Sequence, residues 1–278
     1  MPFSQSKELI DLLSKDMVFL LLLQQIMVKA KKHLGQHFLI DDSISFDIAN
    51  ALKNTENYTH VIEVGPGTGA LTKHLLSHKE YTTVAAEIDR DSVAYLAQNY
   101  PDLKVLQESF LSLDFDSITD GNIAVAGNFP YNISTQILFK VLDEKDRVPE
   151  VVGMFQKEVA ERVAEKPGSK KYGILSVLLQ AFYDIEYLFT VEPEAFNPPP
   201  KVRSGVIRLV RNNVKELDCD EKRFKQVIKT AFNQRRKMLR SSLKPLLNDE
   251  QKASELFTKR PEQLSVQDFI NITNMIFK

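Results

Sequence analysis

Cysteine occurs once, at Cys219, which excludes an internal disulfide and any metal site built on several thiolates. A single cysteine accords with a reducing compartment, and a cytoplasmic location is expected. Histidine is scarce too. His74 and His78 stand four residues apart on an expected helix with no third ligand nearby, whereas catalytic zinc takes three protein ligands and structural zinc four. No metal is expected. Long apolar runs are also missing: Met17 to Leu23 is far shorter than the ~20 residues that span a bilayer, so no membrane partner is expected. Glu8, Asp11 and Asp16 stand where a secretory signal would be basic, and Gln24-Gln25-Ile26 is not a small-residue cleavage site. Residues 1–26 are expected to be an extension dispensable to the fold, with Met27 as the working start; a docking helix is the alternative.

What is present is the composition of a soluble globular chain: 278 residues, 43% hydrophobic and 26% charged. That length suits one large domain or one medium domain with an appendage, and the chain is expected to be a monomer. The net charge of −1 hides a segregation. Between Lys222 and Asn248 there are nine basic residues and no acidic one, and Lys29, Lys31 and Lys32 precede the first acid of the body, Asp41. Patches of this kind steer a protein toward polyanions even when the total charge is near zero.

From residue 58 onward, short apolar runs alternate with helical spacing. Strands are expected at Val61–Val64, Thr83–Ala86, Lys104–Leu106, Ile123–Ala126 and Val151–Phe155, with helices over 70–77, 91–99 and on through Val163. This alternation predicts a parallel α/β sheet covered on both faces. Ile185–Val191 and Gly205–Val210 lack a full helix between them, which predicts a closing antiparallel hairpin. Beyond Arg211 the pattern is wholly helical, so the expected division is 27–211 and a smaller helical domain, 212–278. There are no internal repeats and no low-complexity tracts.

In an open α/β sheet, ligands bind outside the carboxyl ends of the strands. Gly65-Pro66-Gly67-Thr68-Gly69 follows the first strand, where glycines permit a tight turn and close backbone approach to a ligand. Glu87 ends the second strand and is placed to accept bonds from ribose hydroxyls. A dinucleotide would also suit these features. Two details favour S-adenosylmethionine: the spacing is G-x-G-x-G rather than G-x-G-x-x-G, and the fourth strand ends in Asn128-Phe129-Pro130-Tyr131, for which hydride transfer has no use.

Five stretches taken in order resemble one family. They are Gly35-Gln36-His37-Phe38-Leu39, Glu63 to Gly69, Asn128 to Ser134, Phe196-Asn197-Pro198-Pro199-Pro200-Lys201-Val202 and Ala231 to Lys237. Together they are similar to the small-subunit ribosomal RNA adenine dimethyltransferases (KsgA type), over about residue 29 to the C-terminus. The resemblance implies a Rossmann-like class I S-adenosylmethionine-dependent methyltransferase sheet with a small all-helical C-terminal domain. It implies S-adenosylmethionine as cofactor, and small-subunit ribosomal RNA or the immature small subunit as partner. The implied activity is dimethylation of two adjacent adenosines near the 3′ end of 16S ribosomal RNA.

The chemistry suits the turn. Adenine's exocyclic nitrogen is a poor nucleophile, and two acceptors on its N–H groups would orient its lone pair and stabilise the charge that develops there. The Asn128 side chain can be one acceptor, and the resemblance implies the Pro130 carbonyl as the other. Tyr131 supplies a flat face for an extruded base, and Phe196 is expected to form the second wall. His37, Leu39 and Gly67 are implied to border the cofactor, with Gly65 at its methionine portion, Glu87 on its ribose and Asn128 touching both ligands. Ser109 stands where the family carries an acid against the adenine amine, with Glu108 one residue earlier. Lys170, Lys171, Arg235, Arg236, Lys237 and Arg240 are the expected RNA contacts, the last four projecting from a helix whose Phe224, Val227, Ile228, Ala231 and Phe232 face the core. The competing readings are a large-subunit methyltransferase of the macrolide-resistance type, a non-catalytic ribosome-assembly factor on the same scaffold and, last, a dinucleotide oxidoreductase.

Overall fold

The structure, a computed structural model, describes residues 28–277; the expectations for residues 1–26 lie outside it. The chain opens with β1 (Phe38–Leu39) and α1 (Asp42–Asn50), which Asp41 caps by accepting the Ser43 N–H at 3.0 Å. Then come β2 (His60–Val64), α2 (Thr72–Leu75), β3 (Thr82–Ala86), α3 (Arg90–Asn99), β4 (Lys104–Leu106) and β5 (Ile123–Asn128). The middle of the chain continues as α4 (Ser134–Asp143), β6 (Glu150–Gln156), α5 (Lys157–Ala164), α6 (Ile174–Gln180), β7 (Tyr183–Val191), β8 (Phe196–Asn197) and β9 (Ser204–Arg211). The tail holds α7 (Glu221–Asn233), α8 (Leu239–Ser242), α9 (Asp249–Lys252) and α10 (Val266–Phe277), and among the described residues no strand follows β9.

Seven strands form the main sheet in the order β4-β3-β2-β5-β6-β9-β7. The first five are parallel, and β9 runs antiparallel to both of its neighbours. The expected hairpin is therefore present, but its later strand is the inner one. β9 is the more apolar of the pair, with Val206, Ile207 and Leu209 fully buried, so it takes the position covered on both faces. The fold is that of a class I methyltransferase. The second helix is shorter than its periodicity suggests, because tight turns flank it: Gly69 N–H bonds to Pro66 O at 2.9 Å and Ser77 N–H to His74 O at 3.1 Å.

A two-stranded sheet pairs β1 with β8, setting Leu39 opposite Phe196 and Phe38 opposite Asn197. It ties the Gly35–Leu39 stretch to the proline-rich stretch across the chain, a contact that local pattern does not reveal. Leu39, Ile48, Phe196 and Val206 belong to one apolar cluster. A second, larger cluster runs from Ile62, Val125 and Phe155 in the sheet through Leu178 of α6 to Phe224, Val227 and Ile228 of α7 and Phe269 of α10. Core thus continues from the sheet into the helical tail. The two spaced histidines are engaged separately: His74 Nε2 donates to Asp42 at 2.7 Å, and the His78 ring stacks on Tyr81 at 5.5 Å.

Candidate active site

The carboxyl ends of β2, β3 and β5 open onto one cleft, lined by His37, Leu39, Gly65, Gly67, Glu87, Ser109, Asn128, Pro130 and Tyr131 among others. Nine of the residues read from sequence thus converge. Phe196 does not line it. It stands in β8 opposite Leu39 of β1 and is only 2% exposed, so in this structure it supports the β1–β8 pair instead of forming the expected second wall.

The glycine turn is forced by its surroundings. Gly67 has φ of +57°, and a Cβ there would lie 2.9 Å from the Phe38 ring. Its N–H donates to Glu87 Oε2 at 3.2 Å, while Asp89 N–H donates to Glu87 Oε1 at 2.8 Å. Burial holds the Glu87 carboxyl above its usual range despite these bonds. Glu63 also borders the cleft, only 2% exposed, with Thr72 Oγ1 donating to it at 2.6 Å. Burial pushes its pKa up to about 8, and Glu87 nearby adds to the shift. Neither carboxylate meets a cationic side chain among the described residues. Beside them Ile88 leaves 49% of its surface exposed in the cleft. Two buried acids, an open backbone turn and an apolar shelf fit a ligand that combines positive charge, a ribose diol and a flat base, as S-adenosylmethionine does.

At the end of β5, Asn128 Nδ2 donates to the His37 carbonyl at 2.9 Å. This fixes the amide's orientation and leaves Oδ1 without a protein donor among the described residues. The Pro130 carbonyl accepts the Ile133 N–H at 3.2 Å, which occupies one of its two lone pairs. Phe129 is 1% exposed and fills a slot over Gly127 and Gly153, which face each other across β5 and β6. A Cβ on Gly153 would come within 2.0 Å of the ring. Tyr131 is braced on both sides. Its hydroxyl bonds to Ser204 Oγ at 2.5 Å, and the His37 ring lies at 5.6 Å, tilted by 31°. The His37 Nδ1 donates in turn to the Pro198 carbonyl at 2.8 Å.

Ser109 caps a short 3-10 turn, Phe110–Ser112, by accepting the Leu111 N–H at 3.2 Å. Glu108 lines the cleft beside it and is exposed. The segment carrying Gly35 to Leu39 is latched to the cleft rim by Asp89, whose carboxylate takes Lys31 Nζ and, at 3.1 Å, the Gln36 amide. Burial alone would raise the Asp89 carboxyl, but these donors hold it below its usual range. Reasoning from sequence missed Lys31, Gln36 and Asp89 as a latch, and likewise Gly153 and Ser204; the motif Glu63-Val64-Gly65 was the one signal for Glu63.

The basic residues lie elsewhere, and their arrangement corrects the expected one. α7 stops at Asn233, so Arg235, Arg236 and Lys237 stand in the turn before α8 rather than on a helix face. Arg236, Lys237 and Arg240 are exposed. Arg235 does not project outward; its guanidinium donates to the carbonyls of Lys170 and Tyr172, the latter at 3.0 Å. Lys171 pairs with Glu161 at 2.7 Å, whereas Lys170 is exposed without a carboxylate among the described residues.

The family described as ribosomal RNA adenine dimethylase matches residues 27–278. A relative from Cytophaga hutchinsonii, named ribosomal RNA small subunit methyltransferase A, is 56% identical over 253 residues, covering 90% of this chain and 98% of its own. One of the same name from Parabacteroides distasonis is 57% identical over 251 residues, 89% of this chain and 94% of its own. Among solved structures, a dimethyladenosine transferase from Plasmodium falciparum superposes with a TM-score of 0.71 at 23% identity, covering 86% of this chain and 98% of that one. The 23S rRNA methyltransferase ErmE superposes with a TM-score of 0.62 at 22% identity, covering 85% of this chain and 99% of its own. At such identities the structures speak to the fold alone, but a family match from residue 27 to 278 and relatives above half identical over about nine-tenths of the chain do more: the protein belongs to the ribosomal RNA adenine dimethylase family.

Proposed function

We propose that this protein dimethylates two adjacent adenosines near the 3′ end of small-subunit ribosomal RNA at their exocyclic nitrogens, acting on the immature small subunit. The observation that carries the reading is the orientation of Asn128: its Nδ2 is committed to the His37 carbonyl, so its Oδ1 is the atom offered to the cleft. When bound, S-adenosylmethionine supplies a methyl group activated by its sulfonium. Glu63, Glu87 and the Gly65–Gly67 turn would hold it. The chain's own part is to present the nucleophile. Asn128 Oδ1 and the remaining lone pair of the Pro130 carbonyl accept the two N–H groups of adenine, turning the nitrogen lone pair toward the methyl and stabilising positive charge as it develops. Tyr131 stacks on the base and holds it in the plane these acceptors require. The cationic product loses its proton to water, so no strong base is needed.

The relatives covered over almost their whole length are named for the small subunit, which supports that substrate over the large-subunit alternative. The intact acceptor pair supports catalysis over a purely scaffolding role. Asn128→Ala should slow methyl transfer by ~10²–10³-fold while S-adenosylmethionine binding stays within a few-fold, since removing one bond in a preorganised site costs ~2.7–4 kcal/mol. A tritium-transfer assay with calorimetry measures both; normal turnover in the variant would sink the assignment. Mapping dimethyladenosine on ribosomal RNA from cells with and without the gene tests the substrate.

A further inference from the structure

We propose that Arg235 is a positioning residue, not a phosphate contact: it locks the loop of residues 166–173 to the turn of residues 234–238, so that both meet RNA as one preassembled surface. The inference rests on the reading that this basic face takes RNA.

Its basis is a set of fastenings between segments far apart in the chain. Arg235 is separated from Lys170 by 65 residues, yet its Nη2 donates to two carbonyls of the loop, those of Lys170 and Tyr172. A second link runs the other way, from Gly168 N–H to the Glu262 carbonyl at 2.7 Å, so the loop is held to the tail at two points. Tyr172, at the loop's end, is fully buried in the same apolar cluster as Phe224 and Phe269. A guanidinium is a rigid planar fork that satisfies two acceptors at once, which an ammonium on a flexible stem reproduces poorly. Half-buried, Arg235 spends both N–H groups of Nη2 on carbonyls, which holds its side chain against the loop rather than extending it into solvent. Around it Lys166, Lys170, Arg236, Lys237 and Arg240 are exposed, and none is paired with a carboxylate among the described residues. Five unneutralised cations on the loop, the turn and the start of α8 form an extended site for a duplex RNA backbone, which is recognised by shape and phosphate spacing, only while these elements keep a fixed separation. The strut supplies that separation.

The test compares Arg235→Lys, which keeps the charge and removes the fork, with Arg235→Gln, which removes both. Amide hydrogen exchange is followed in the free full-length protein, and affinity for immature small subunits is measured across a range of potassium concentrations. If Arg235 is a strut, exchange at Gly168 and Lys171 speeds up in both variants, and both bind about tenfold more weakly. If it is a phosphate contact, loop exchange is unchanged and Arg235→Lys binds like the parent protein; either result overturns the proposal. Unaltered S-adenosylmethionine affinity verifies that both variants are folded. The underlying reading has its own arm: replacing Arg236, Lys237 and Arg240 by Gln should lower the salt slope by ~0.7–0.9 for each phosphate no longer neutralised, without changing loop exchange. An unchanged slope there removes RNA from this face, whatever the Arg235 variants do.

Discussion

Ser109 caps a turn with the same hydroxyl that borders the cleft. Aspartate caps as well as serine does, and its second oxygen would remain for an adenine amine. Ser109→Asp should therefore tighten S-adenosylmethionine binding through a charge-assisted bond worth ~1.5–3 kcal/mol. Calorimetry decides it, and weaker binding would mean that the neighbouring Glu108 already fills the role. A second residue-scale consequence concerns space rather than charge. The Phe129 ring sits where a Cβ on Gly153 would lie, at 2.0 Å, and Phe129 stands between the acceptors Asn128 and Pro130. Gly153→Ala must push the ring, and with it the acceptors, at a strain of ~1–3 kcal/mol. Methyl transfer should fall about hundredfold, as misplacement by an ångström does, while the cofactor site on β2 and β3 keeps its affinity. Parent-like turnover in Gly153→Ala would show that the slot does not set the acceptors.

At the scale of elements, β2 delivers a carboxyl that is costly to bury ionised. Glu63 has its pKa raised from 4.5 to about 8. The folded chain then holds a proton that the unfolded chain gives up, so the stability linked to Glu63 is fully present below 4.5 and is lost as pH rises through about 8. The ligand-free protein should melt at a lower temperature near pH 9 than near pH 5, and Glu63→Gln should flatten that fall. Scanning calorimetry of both proteins is the measurement; parallel pH profiles would show that Glu63 is not the titrating group. The elements also mark how far sequence could be read. Strands β2, β3 and β5 and the residues just beyond them were legible because each signal is local: an apolar run, then Gly65, Glu87 or Asn128 at its end. What was not legible depends on distance along the chain. Tyr131 and its partner Ser204 are 73 residues apart, and the place of Phe196 is hidden because nothing local shows that β8 pairs with β1. The Arg235 to Lys237 stretch reads as helix by composition and folds as a turn.

For the whole molecule, the question is whether the helical tail is separate from the sheet. Its helices present an apolar face to α6, and the cluster that contains Ile62 and Val125 also contains Phe224, Val227 and Phe269. A tail that folded alone would bury its own core and leave a polar seam against the sheet. Here the seam is apolar, so tail and sheet should unfold together. Phe224→Ala is the sharpest probe, because the residue is 1% exposed and does not line the cleft. Truncating a buried phenylalanine costs ~3–5 kcal/mol. The expected result is one calorimetric transition in the parent protein and one, shifted down, in the variant, with S-adenosylmethionine raising both. Two transitions, of which only one responds to S-adenosylmethionine, would make the tail an independent domain and leave the Arg235 bonds to Lys170 and Tyr172 and the Gly168 bond to Glu262 as ties between them.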